Sequence, residues 1–203
     1  MAKRIYLLWA IALWLHWLPA LADSAHELQQ RLSRVNQFSA QFVQTVTDKE
    51  GQAVQESQGS VWLQRPDRFR WEISSPEETV VVSDGQTLWF YTPLVQQVTA
   101  TQLSAALENT PFLLISSNQP ADWQRYQIQQ QGDLFTLIPR QKSAAVQRFT
   151  ITVTRQGIIQ QFSLLEPEGL CSQFILQKMQ RRLIPPQQFS FKRPPGVALD
   201  DQR

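Results

Sequence analysis

Residues 68–92 read RFRWEISSPEETVVVSDGQTLWFYT. In the first six, Phe69, Trp71 and Ile73 alternate with Arg68, Arg70 and Glu72. A strand here puts an apolar row on one face and a charged row on the other. Ser74-Ser75-Pro76 breaks it. Residues 79–82 and 87–91 then flank Asp84-Gly85, a dipeptide suited to a tight hairpin. Strands joined by such short turns predict an antiparallel meander and not βαβ units.

The period of two extends in both directions. Upstream, Phe38, Ala40 and Phe42 alternate with Ser39 and Gln41, Asp48-Lys49-Glu50-Gly51 is a turn, residues 54–63 return as a strand with Gly59 inside it, and Arg65-Pro66-Asp67 turns again. Downstream, Tyr126 and Ile128 lead through Gly132-Asp133 to a strand over 134–138. Phe149, Ile151 and Val153 alternate with Thr150, Thr152 and Thr154, Gly157 turns the chain into 158–165, and residues 172–179 form another strand. The proline-rich tail is irregular around a short strand at 188–191. Two segments depart from this period. Residues 24–36 predict an amphipathic helix with Ser24 as cap, Glu27 completing a capping box, and Leu28, Leu32 and Val35 on one stripe. In 100–116, Leu103 and Leu107 share a stripe, Thr110-Pro111 suits a helix start, and Phe112-Leu113-Leu114-Ile115 carries no polar residue. A short helix that is apolar all round must be covered, or must itself cover something. The expected class is α+β, mainly β.

The amino end reads as an export signal. Lys3 and Arg4 precede residues 5–18, apolar apart from His16, and Pro19 and Ala20-Leu21-Ala22 follow with the small-x-small form of a cleavage site. A membrane span needs roughly 20 apolar residues, more than this run supplies. The expectation is a signal peptide over 1–22, cleavage after Ala22 and a single domain over 23–203. The first mature residue is Asp23 and not Cys, so the protein is not expected to be lipid-anchored itself, and no later stretch is long enough to cross a membrane. It should be soluble outside the cytoplasm. Without Lys3 and Arg4, the 19 basic residues fall to the number of the 17 acidic ones, a balance that argues against nucleic-acid binding. The single Cys171 allows neither an internal disulfide nor a multi-cysteine metal site.

Catalytic patterns are missing. There is no G-x-G-x-x-G, P-loop, G-x-S-x-G or H-E-x-x-H. His26 reads as a solvated helix residue and Glu77-Glu78 as a charged turn, because neighbours in a strand point to opposite faces. Cys171 reads as a small buried or half-buried residue and Asp200-Asp201 as a solvated tail. No catalysis, cofactor or metal is expected. What remains is apolar surface: a broad sheet with two short helical covers encloses either a filled core or a cavity, and periodicity leaves both open.

Five stretches carry a family likeness: 38–42 (FSAQF), 58–66 (QGSVWLQRP), 82–91 (VSDGQTLWFY), 109–115 (NTPFLLI), and 194–197 (PPGV) with 200–203 (DDQR). Together and in this order they resemble the LolA family of periplasmic outer-membrane lipoprotein carriers; residues 166–186 depart from the family's usual pattern. The resemblance implies an incomplete antiparallel β-barrel, or half-barrel, whose apolar concave face is covered by a lid of short helices. It implies acylated lipoproteins as cargo, received from an inner-membrane ABC transporter and passed to an outer-membrane receptor lipoprotein by a monomeric carrier. The cavity wall would then draw on Trp62, Phe69, Trp71, Trp89, Leu103, Leu107, Phe112, Leu113 and Ile115, with about half touching ligand. Trp89 and Tyr91 point opposite to Phe90, so one of these sets faces away. By the same likeness Arg65 is the latch residue, hydrogen-bonded to carbonyls near Leu32, Ile115 and Ser116, and Phe69 lies near the cavity mouth. Competing readings are a lipid-sensing module of a periplasmic signalling protein and a periplasmic hydrolase.

Overall fold

The computed structural model describes residues 21–107, 115–141 and 146–203, with the side chains of 21–23 and Leu107 excepted. The export signal up to residue 20, Thr110-Pro111, Phe112 and Leu113 lie outside the described residues.

Among the described residues the strands form one twelve-stranded sheet, in the order β12-β6-β5-β4-β3-β2-β1-β11-β10-β9-β8-β7. Two antiparallel meanders build it. The first comprises β1 (Gln37–Thr47), β2 (Ala53–Gln64), β3 (Arg68–Ser75), β4 (Thr79–Asp84), β5 (Thr87–Thr92) and β6 (Gln97–Gln102). The second comprises β7 (Tyr126–Gln131), β8 (Leu134–Pro139), β9 (Arg148–Val153), β10 (Ile159–Leu165) and β11 (Cys171–Gln180). They join where β1 pairs antiparallel with β11, Phe42 opposite Leu176 and Thr47 opposite Cys171. The outermost strands, β7 and β12 (Ala198–Asp201), do not pair with each other, so the barrel stays open.

The structure corrects the sequence reading at four places. Helix α1 spans Leu21–Ser33 and not 24–36, so Ser24 lies inside it and is no cap. The chain leaves the helix early because Arg65 takes up carbonyls at its end, as described below. Residues 97–102 are strand, with Val98 and Ala100 fully buried in register with Tyr91 and Trp89, and α2 (Leu103–Leu107) begins only after them. Residues 186–189 form a 3₁₀ turn begun by Pro186 where a strand over 188–191 was expected. Asp200 and Asp201 belong to β12, which runs parallel to β6 and covers its edge.

Core packing explains the one-sided sheet. Leu28, Leu32 and Val35 meet Ile128, Phe135, Leu137, Phe149, Ile151, Val153 and Ile159 in one buried cluster. Helix α1 thus fills the concave face of the second meander. Arg31 anchors it: only 3% exposed, it donates to Glu27 Oε1 (2.7 Å), Asp133 Oδ1 (2.6 Å) and the Val153 carbonyl (2.7 Å), with its guanidinium 5.2 Å from the Phe135 ring centroid. At Gly157 (φ +83°) a Cβ would lie 2.5 Å from the Arg31 carbonyl, so the turn between β9 and β10 approaches the helix as only glycine permits.

Gly59 has a steric role in β2. A Cβ there would sit 1.8 Å from the Glu72 carbonyl of β3 and 2.7 Å from Phe42 Cζ, whose ring covers the vacant position and stacks on Trp71 at 4.2 Å. Gly59→Ala is expected to cost about 3 kcal/mol or more, since the nearest atom is backbone and cannot yield. Chemical denaturation of the purified variant reads this, and an unchanged midpoint contradicts it.

Candidate functional site

Beyond β1 and β2, whose Phe38, Ala40, Val61 and Leu63 join the α1 cluster, the first meander's inner face is not filled. There, paired residues share a face: Phe69 stands opposite Leu63 and Ser83, Trp71 opposite Val61 and Val81, and Leu88 opposite Ser83. A cavity of about 350 Å³ is lined by Phe69, Trp71, Val81, Leu88, Ala106, Ile115, Phe149, Phe162, Leu164 and Phe174. All ten side chains are apolar. The volume lies at the lower end of the range for small-ligand sites, roughly 300–1,000 Å³. Both meanders supply walls. An aromatic group bridges them, with Phe162 stacked on Phe174 (centroids 4.7 Å) and Trp71 edge-on to Phe174 (5.4 Å). Leu103 of α2 packs on Phe69, Val81 and Leu88.

Arg65 stands between this cavity and α1. Its backbone N–H donates to the Asn36 carbonyl (2.8 Å), and its Nη1 donates to the carbonyls of Leu32 (2.8 Å) and Val35. The first belongs to the last turn of α1, where it also accepts from the Val35 N–H (3.3 Å), and the second lies two residues past the helix; a cation here is also favoured by the helix dipole. Burial lowers the guanidinium pKa to about 10, which leaves it charged at neutral pH. Next along the chain, the Asp67 N–H donates to the Ser116 carbonyl (3.4 Å), and the Asp67 carbonyl accepts from Ser83 Oγ (2.6 Å). The β2–β3 turn therefore touches α1 on one side and the segment around Ile115 and Ser116 on the other. Gln29 and Asn118 tie that segment to α1 by reciprocal amide-to-carbonyl bonds of 3.4 and 3.3 Å.

Asp67 bears a cost in this position. Burial, reinforced by the nearby Asp122 carboxylate, raises its pKa, and its buried Oδ1 has no hydrogen-bond partner among the described residues. A raised folded-state pKa gives stability that is fully present below the unfolded value and lost as pH rises through the folded one. Asp67→Asn is therefore expected to raise the thermal midpoint at neutral pH by about 2–4 °C, on the order of 1 kcal/mol. The gain should fade below the unfolded carboxylate value of roughly 4. Melting curves across that range check it; an equal gain at every pH contradicts the titration argument.

The structure brings Phe69, Trp71 and Ile115 to the cavity and puts Leu103 behind its wall. It corrects two assignments. Trp62 alternates with Val61 and Leu63, both in the core, and faces the other side opposite Arg70. Trp89 also lies on that back face, stacked on Phe191 of the tail (5.5 Å) with the Arg203 guanidinium 5.0 Å from its ring. Phe149, Phe162, Leu164 and Phe174 are wall residues that the sequence reading did not select. Their strands were legible, but nothing local says that β9–β11 face β3.

The region that builds this cavity matches a family model. Residues 33–192 fit the model described as outer membrane lipoprotein carrier protein LolA. The chain belongs to this family. All ten cavity residues, Arg65 and Ser116 lie inside the match, and Leu32 borders it. The family's outer-membrane lipoprotein carrier protein of Yersinia pestis bv. Antiqua (strain Angola) is 47% identical over 184 residues, 91% of each chain. The corresponding protein of Pectobacterium atrosepticum is 48% identical over 182 residues, 90% of each chain. Among solved structures, an uncharacterized conserved protein from Thermus thermophilus shares the fold at a TM-score of 0.60 and 15% identity, covering 88% of this chain and 99% of that one.

Proposed function

We propose that the protein is a periplasmic, non-enzymatic carrier that shields the acyl chains of lipoproteins. It is exported by a signal peptide cleaved after Ala22, acts as a monomer, accepts cargo from an inner-membrane ABC transporter and delivers it to an outer-membrane receptor lipoprotein. The observation that supports this reading is the cavity wall, apolar at every described position and shared by two meanders that remain unclosed. Such a wall offers acyl chains burial without hydrogen bonds. Burial is worth ~0.8 kcal/mol per methylene, so three chains with on the order of 40 methylenes face roughly 30 kcal/mol on leaving a membrane. That exceeds the ~20 kcal/mol limit of non-covalent affinity, so the cargo needs a carrier to cross water. The carrier must also let go without ATP of its own, and a wall that offers burial without hydrogen bonds serves both ends.

Arg65 acts in this reading as the latch. Its bonds to the end of α1 hold the empty, closed form, and incoming chains compensate for their loss. The test uses inner-membrane vesicles bearing the transporter and a radiolabelled lipoprotein. Adding the mature protein with ATP should yield a soluble one-to-one complex. No soluble complex, or a complex that forms equally well with an unacylated lipoprotein variant added in solution, would contradict acyl recognition.

A further inference from the structure

The concave face changes character along β1. Phe38, Ala40 and Phe42 are buried and apolar, and the next residue on that face is Gln44. Gln44 lies opposite Ser57 of β2 and Phe174 of β11, so it stands beside a residue of the cavity wall. Ser57, only 5% exposed, donates its hydroxyl to Gln44 Oε1 at 3.1 Å. This bond fixes the amide with its oxygen turned toward Ser57, leaving its two N–H groups for an outside acceptor. One step along, Ser172 lies opposite the cavity residue Leu164. These three side chains hold polar hydrogens at the edge of an apolar cavity, and none of them is charged.

We propose that Gln44, oriented by Ser57, and Ser172 form a subsite for the neutral carbonyl-bearing head of an amphiphile whose chains lie in the cavity. The inference rests on the acyl-carrier reading and adds the orientation and head-group chemistry of the ligand. Amide and hydroxyl donors suit ester or amide carbonyls. Phosphate is better served by the forked cation of arginine or by lysine. A phospholipid presents the same ester carbonyls but adds a phosphate for which these uncharged side chains supply no cation, so the subsite favours an acylated glyceride or peptide over an anionic phospholipid with the same chains.

The test measures binding of three probes to the mature protein: a diacylated lipopeptide with an uncharged peptide, phosphatidylglycerol with matched chains, and an alkyl dye that has no carbonyl. Wild-type protein should bind the lipopeptide more tightly than the phospholipid. Gln44→Leu and Ser172→Ala should each weaken lipopeptide binding about three- to tenfold, the range expected of one hydrogen bond, and leave the dye unchanged. Gln44→Asn, which keeps the amide on a shorter arm, should recover part of the loss. Unchanged lipopeptide affinity in both variants overturns the subsite, and so does a parallel loss of dye. Failure of wild-type protein to bind any of the three overturns the acyl-cavity reading and the subsite with it; dye binding without a head-group preference overturns the subsite alone.

Discussion

Arg65→Leu is expected to load lipoprotein and keep it. The Arg65 guanidinium donates to the Leu32 and Val35 carbonyls, at and just beyond the end of α1. Hydrogen bonds from charged donors are worth about 1.5–3 kcal/mol each, so their loss destabilises the closed form by several kcal/mol at most. A ligand that binds the open form then binds more tightly by the same linkage, and each 1.4 kcal/mol is about tenfold in affinity. Leucine adds apolar surface beside the site and strengthens the bias. Transfer to the receptor should fall at least tenfold while release from inner-membrane vesicles persists. Scoring the two steps separately reads this directly, and normal hand-over by the variant would remove the latch role.

Phe69→Glu is expected to fold and to abolish delivery. Phe69 is 3% exposed, packs on Leu103, Val81 and Leu88, and forms part of the cavity wall. It lies outside the α1-centred cluster that holds the two meanders together. A carboxylate there can turn into the open cavity and keep water, which spares the fold. The same water and charge oppose acyl chains, at several kcal/mol for a charge facing hydrocarbon. Incorporation of cargo into receptor membranes should drop more than a hundredfold, with circular dichroism near wild type. If release and incorporation both proceed normally, Phe69 is an ordinary core residue.

The first meander was legible because its turns are local. Asp48–Gly51, Arg65-Pro66-Asp67 and Asp84-Gly85 each sit between alternating runs, and the alternation alone places Phe69 and Trp71 on one face. The second meander's strands were equally readable, but their position was not. The β1–β11 pairing joins residues more than a hundred positions apart, and it alone turns Phe162 and Phe174 toward Trp71. Trp62 and Trp89 show the opposite failure. Large aromatic rings suggested a greasy wall, yet alternation with Val61 and Leu63, and the stacking of Phe191 on Trp89, give both a place on the back face. The tail misled for a similar reason. Asp200 and Asp201 look solvated in sequence, whereas the bare edge of β6 recruits their backbone as a parallel strand. The bonds of Arg65 could not be read locally either, because their acceptors are backbone carbonyls about thirty residues away, which leave no pattern in side chains.

Site-specific photo-crosslinking tests whether acyl chains occupy the cavity. A benzophenone side chain placed at Phe162 or Phe174, in protein loaded with lipoprotein radiolabelled in its fatty acids, should capture label. The same side chain at Trp62 or Phe191 on the back face should not. Label captured equally from both faces, or from the back face alone, would contradict the account.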